Sequence, residues 1–290
     1  MYIRILYIQL NYTGTLLAVA KQHQFLSNFL LFWVFFWKKL CFLNRNRPKP
    51  MKNRLFLYFS STLFFLSAQM LLSQELTALE LLDKSIAYHD PQGRWAQFQG
   101  TFTVVMSSPN RAERTTEITI DLPNEYFKST VRQNDNEIIS ELRQENCSFT
   151  FNGSANYNTE IAEKHRLNCN RTTTMRNYYT YLYGLPMKLK DPGTQLHPKV
   201  AEVSFQGETL YRLRVDYEEG VGKDRWYFYF DPLTFQLRHY QFYHDESAND
   251  GEYIVMEEEV EIAGIKMPQT RAWYTNKDKR YLGTDRLIDE

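Results

Sequence analysis

The chain has 290 residues, 34 basic and 34 acidic side chains for a formal charge of zero, and 16% aromatic residues. Every acid lies at or after Glu75 while nine bases lie before it, so the part from Glu75 onward sets 34 acids against 25 bases. A mildly acidic body lacks the basic footprint of a nucleic-acid binder, and nucleic acid is excluded as a partner.

Within residues 1–50 the apolar run "FLSNFLLFWVFFWKKLCFL" stops at Lys38 and Lys39, too soon for a spanning helix. These residues read as an upstream extension outside the functional protein. Met51-Lys52-Asn53-Arg54 is a basic n-region, residues 55–72 are an apolar h-region, and small Ser73 marks the expected cut, with Leu71 bulky for its place in such a site. Residues 51–74 therefore read as a secretory signal with its own start methionine, and the mature protein is expected in the periplasm or secreted. A membrane anchor made from either apolar run is the rival reading. No Cys follows the h-region, so the usual lipid-attachment site is missing. Residues 75–290 fit one domain with a substantial core, and no Pro/Gly/Ser-rich linker divides them.

Thr77-Ala78-Leu79-Glu80 has the form of a capping box, and Leu79, Leu82 and Ile86 then recur at helical spacing up to His89-Asp90-Pro91. From Trp95 the period becomes two. Phe98, Gly100, Phe102, Val104 and Met106 alternate with polar residues, Ile118 and Ile120 follow, and runs at 126–132, 137–143 and "CSFTFNG" come next. Cys147 and Cys169 are the two cysteines of the exported part, and in an oxidising compartment they are expected to form a disulfide. A metal pair or a reactive thiol is the alternative, with no second Cys pair and no His at ligand spacing to support it.

Residues 170–183 interrupt the strands with a helical stripe of Met175, Tyr178, Tyr179 and Leu182, with Gly184 and Pro186 beyond its end. Later runs are "KVAEVSFQG", "TLYRLRVDY", "RWYFYFDPLTFQLRHYQFYHDE", "EYIVMEEEVEIAGIKMP" and "TRAWYTN". Short turns between most of them mean an antiparallel meander. The fold class is α+β: one large curved antiparallel sheet of about ten strands, an unclosed half-barrel, with an N-terminal helix and a mid-chain helix as lid. In the hairpin around Asp231-Pro232-Leu233-Thr234, rings fall on both parities. Trp226, Phe228 and Phe230 are expected on one face and Tyr227 and Tyr229 on the other, as in a curved sheet with a partly covered convex face; a sandwich whose strands pack a dry core is the alternative.

An export signal, one N-terminal amphipathic helix and long antiparallel strands with an aromatic strand running into "FDPLTFQL" resemble the bacterial lipoprotein-carrier fold (LolA and LolB-like). The chain is more similar still to an uncharacterised branch of secreted Gram-negative envelope proteins, through Cys147, Cys169, "YLYGLPMKLKDPGT", "WYFYFDP", "FYHDE", "NDGEYI" and "RYLGTD". The resemblance implies a helical lid over an apolar cavity that holds acyl chains. The chain departs from the carriers in its acidity, its 147-to-169 insertion and its many tyrosines.

His89-Asp90 and His244-Asp245-Glu246 are the clusters that could bind a metal or do acid-base chemistry, and both sit where such residues cap chain ends. "EEGVGKDR" lacks the first glycine of a phosphate loop and reads as a hairpin loop, and Gly-x-Ser-x-Gly, His-Glu-x-x-His and Cys-x-x-Cys are absent. No catalytic residue, metal site or cofactor is assigned. The leading expectation is a non-enzymatic periplasmic protein that binds a lipid or other amphiphile against Phe102, Val104, Met106, Ile118, Ile120, Leu213, Val215, Trp226, Phe228 and Leu237, with transient membrane contact allowed. Second comes an envelope interaction module with a filled core and a protein partner, and third a hydrolase or metal-dependent enzyme using the His89 and His244 regions.

Overall fold

The alternating segments pair as one open antiparallel sheet in the computed structural model, which describes residues 75–288. The extension and signal inferred for residues 1–74 lie outside the described residues. The strands are β1 (Gln99–Ser107), β2 (Arg114–Asp121), β3 (Tyr126–Gln133), β4 (Asn136–Arg143), β5 (Asn146–Phe151), β6 (Thr194–Phe205), β7 (Glu208–Tyr217), β8 (Arg225–Phe230), β9 (Leu237–Asp245), β10 (Asp250–Ile262), β11 (Ile265–Thr275) and β12 (Tyr281–Ile288). Their order is β5-β4-β3-β2-β1-β12-β11-β10-β9-β8-β7-β6. Twelve strands replace the expected ten or so. The run "EYIVMEEEVEIAGIKMP" turns back on itself at Ala263 and Gly264, both at positive φ (50° and 84°), which makes a hairpin of it. The final strand, β12, pairs with both β1 and β11 and joins the two halves of the sheet.

Among the described residues three α-helices accompany the sheet: α1 (Ala78–His89), α2 (Thr159–His165) and α3 (Cys169–Tyr183). Helix α1 starts in the expected capping box, with the Glu80 amide donating to Thr77 Oγ1 and the Thr77 amide donating to Glu80 Oε2. Of its expected stripe Leu82 is buried and Ile86 packs against the core, but Leu79 does not. Ala78, Leu81, Leu82, Ser85 and His89 face the core, while Leu79 is 56% exposed. Spacings of three and four keep the observed set on one side of a 3.6-residue helix, which Leu79 does not share. Helix α2, capped by Asn158, has no buried residue and so left no apolar stripe to read.

The sheet must curl, because α3 touches strands that a flat sheet would hold far apart. Tyr179 stacks on Phe127 of β3 at 6.3 Å, and Tyr181, two residues on, packs edge-on against Trp226 of β8 at 5.7 Å. Seven inter-strand steps separate β3 from β8 in the sheet order, about 33 Å if flat. Two neighbouring tyrosines cannot span that, so the sheet wraps around the helix as an unclosed half-barrel. The curvature also divides the aromatics of β8 as expected. Trp226, Phe228 and Phe230 join the main core, whereas Tyr227 and Tyr229 form a second cluster on the convex face with Leu210, Val203, Phe205 and Tyr243. Phe205 covers Tyr229 there, the rings stacked at 4.0 Å.

His89 ends α1 and ties it to the sheet. Its Nδ1 donates to the Lys266 carbonyl at 2.8 Å, and its Nε2 accepts from the Leu237 amide at 3.0 Å, an arrangement only the neutral ring can make. Burial holds its pKa below the usual 6.5, against the Lys266 carbonyl and Glu259, which favour protonation. The unfolded chain therefore binds this proton more readily than the folded one. Stability from His89 should be complete above about pH 6.5 and decline as pH falls below it. Urea midpoints measured between pH 7.5 and 5 should show that slope, and His89→Gln should flatten it; an unchanged slope would remove His89 as its source.

Candidate functional site

Cross-strand register lays the concave face out as rows. Leu213, Phe228, Tyr240, Ile254 and Trp273 line up across β7 to β11, and Gly100, Ile120, Phe127, Leu142 and Cys147 line up across β1 to β5. Gly100 is small for a reason: a Cβ there would meet the Phe98 ring at 2.7 Å. Because Cys147 closes the second row, its sulfur reaches the concave side and bonds to Cys169, the first residue of α3, with the two Cα atoms 5.8 Å apart. The disulfide thus fastens the start of the lid helix to the edge strand.

At its other end α3 is held by Arg271 of β11, whose Nη2 donates to the Leu182 carbonyl at 2.9 Å and whose guanidinium lies over the Tyr183 ring at 4.1 Å. Arg271 is 2% exposed and belongs to a row, Arg114, Met106, Asp285 and Arg271, that carries three charged side chains across the concave face. Burial raises the Asp285 pKa, opposed by the Arg271 and Arg114 guanidiniums. The Nε atoms of both arginines are buried without a hydrogen-bond partner. The Tyr181 hydroxyl bonds the Tyr217 hydroxyl on β7, and burial pushes the Tyr217 phenol up to about 12. Both phenols stay protonated at neutral pH.

Of the ten residues expected to line a ligand site, Phe102, Val104, Ile118, Ile120, Leu213, Val215, Phe228 and Leu237 are buried in one cluster together with residues of α1 and α3. Trp226 packs at the margin of that cluster, and Met106 lies outside it in the polar row. The cavity itself lies beside them. It is open to solvent and offers about 390 Å³ between one flank of α3 (Arg176, Asn177, Thr180, Tyr181), the β2–β3 turn (Ile120, Asp121, Leu122, Glu125, Tyr126) and the turn after α3 (Lys188, Asp191). Ile120 alone of the ten reaches it. Tyr181 lines it and also packs edge-on against Trp226, so this side chain touches both the cavity and the margin of the apolar floor.

The structure does not bring the two histidine clusters together. His89 meets the first residue of β9, whereas His244 lies seven residues along the same strand, about 23 Å away. His244 pairs with Asp224 at 2.8 Å, Asp245 bonds Ser247, Glu246 bonds Arg225 and Tyr227, and Asp90 accepts from the Arg94 and Trp95 amides. Each acts as a local cap or clamp. Among the described residues no group of three or more His, Cys, Asp or Glu side chains is placed to hold a metal ion, and no helix is long and apolar enough to cross a membrane.

The model of a family of unknown function (DUF6503) matches residues 52–290. None of the curated proteins matches. Solved structures similar to the chain include the LolA superfamily protein NE2245 from Nitrosomonas europaea, at 13% identity over 73% of this chain and 92% of that one, with a TM-score of 0.43. An outer membrane lipoprotein-sorting protein domain from Vibrio parahaemolyticus matches at 10% identity, covering 73% and 90% of the two chains, with a TM-score of 0.42. A DUF1329 family protein from Desulfovibrio piger matches at 8% identity over 74% and 92%, with a TM-score of 0.43.

Proposed function

The chain belongs to the DUF6503 family, and from its geometry we propose that it is a non-enzymatic binding protein of the cell envelope that seats a lipid or other amphiphile between α3 and the concave face. The observation that carries this reading is the position of Tyr181. The residue lines a cavity of about 390 Å³ and also packs against Trp226 at the margin of the apolar floor, and the volume is within the size range of small-molecule sites. A modest shift of α3 joins the two spaces, and an acyl chain entering there gains about 25 cal/mol per Å² of apolar area removed from water. The residues proposed to receive it are Phe102, Val104, Ile118, Ile120, Leu213, Val215, Trp226, Phe228 and Leu237, with Met106 at the polar margin.

Location in the periplasm or outside the cell is supported by the Cys147–Cys169 bridge, a bond that persists in oxidising compartments. The family model begins at residue 52, which supports a functional chain that starts at Met51, with residues 51–74 as its leader and 1–50 outside it.

Native mass spectrometry of the expressed chain, before and after organic extraction, tests the reading. A bound mass released as lipid is expected, and Tyr181→Ala should raise the bound fraction several-fold by joining the two spaces. A clean protein mass in both variants would sink the proposal. A second reading, an interaction module with a filled core, draws on one observation: Phe102, Ile118, Leu213 and Phe228 are already fully covered by the protein itself. A lipid-free protein that copurifies with one stoichiometric envelope protein would favour it.

A further inference from the structure

The walls of the cavity are not chemically neutral. Asp121 and Glu125 stand on the β2–β3 side, Arg176 and Thr180 on α3, and Lys188 and Asp191 on the turn that follows. Lys188 and Asp191 pair with each other, and Asp121 is bonded by Asn124 and Gln99. What remains is one carboxylate and one guanidinium. Glu125 has no side-chain partner among the described residues, and Arg176 bonds only the Asn177 amide oxygen, at 3.1 Å from both Nε and Nη2.

Two local features set these groups toward a ligand. Thr172 and Thr174 return their hydroxyls to the carbonyls four residues back, the usual habit of threonine inside a helix, but the Thr180 hydroxyl is buried with no partner. It lies one turn beyond Arg176 on the same flank, and a turn about χ1 would bring the hydroxyl out beside the guanidinium to meet one group. Across the cavity, Glu125 takes the left-handed position of its turn (φ 47°), as Asn does at 110, 134, 152 and 249 and as Gln144, Gln206, Glu258 and Lys279 do. There Glu125 places a carboxylate among the residues that line the cavity.

The geometry points to a zwitterionic head group, one phosphate beside one primary amine, as what this cavity takes; the inference rests on the amphiphile reading above. The phosphate meets Arg176 and the Thr180 hydroxyl, the amine meets Glu125, and the attached chains run past Ile120, Leu122 and Tyr181. A head group with phosphate alone would face Glu125 and Asp121 uncompensated.

The test titrates the full-length chain with phosphatidylethanolamine and phosphatidylglycerol that carry six-carbon acyl chains, and with free phosphoethanolamine, following Trp fluorescence and calorimetry. The ethanolamine lipid should bind at least about tenfold more tightly than the glycerol lipid. Glu125→Gln should erase that preference, while Arg176→Met should weaken both lipids about tenfold and Thr180→Val both by several-fold. Melting curves that match the wild type certify that each variant is folded. Equal affinity for the two lipids, or a preference unmoved by Glu125→Gln, overturns the inference and leaves the amphiphile reading standing. Binding of neither lipid overturns both. Free phosphoethanolamine binding as tightly as the lipid supports the head-group assignment and overturns the amphiphile reading.

Discussion

Replacing Arg271 with methionine is expected to cost about 3–5 kcal/mol of stability, read as a lowered urea midpoint. The volume is roughly conserved, so the loss is electrostatic. Without the guanidinium, Asp285 stays 8% exposed with its cross-strand cation gone, and the Leu182 carbonyl loses its donor. The cost should be conditional. Asp285→Asn in the same chain removes the stranded carboxylate and should recover a substantial part of the loss, a coupling that independent sites do not show. Strict additivity of the two substitutions would mean that Arg271 acts on α3 alone. Amide exchange should further show α3 opening earlier than the strands beneath it in the Arg271 variant.

Serine at both Cys147 and Cys169 should cost about 3 kcal/mol, the loop-closure value for a bridge of this span. The bridge joins the lid to the edge strand β5, so its loss acts first where the lid begins. Reductant should lower the melting temperature of the wild type by a similar amount and leave the double-serine variant unchanged. A reductant effect that persists in the variant would place the sensitivity elsewhere.

The half-barrel was legible because its strands keep one apolar parity and its turns are marked, as at Asp231, whose Oδ1 takes the Leu233 and Thr234 amides. The division of Trp226, Phe228 and Phe230 from Tyr227 and Tyr229 was readable for the same reason. Helix α2 was not legible, since no face of it is buried, and the hairpin at Ala263-Gly264 was hidden inside a continuous β-rich run. The polar row carried a signal that could have been used. Arg271 shares its parity with Ile265, Met267 and Trp273, so a charge stood on the core side of a strand in plain sequence. The cavity carried none, because Glu125, Arg176 and Lys188 come from three segments that meet only after the sheet has curled.

Both free edges of the sheet, β5 and β6, are consecutive in the chain, and residues 152–193, α3 among them, run from one to the other. That segment is a string drawn across a bow. Its tension and the bend of the sheet are one mechanical variable, set at one end by a covalent knot and at the other by the turn into β6. Drawing the string in deepens the bow, paying it out flattens the bow, and whatever wedges beneath the string must work against all twelve strands together.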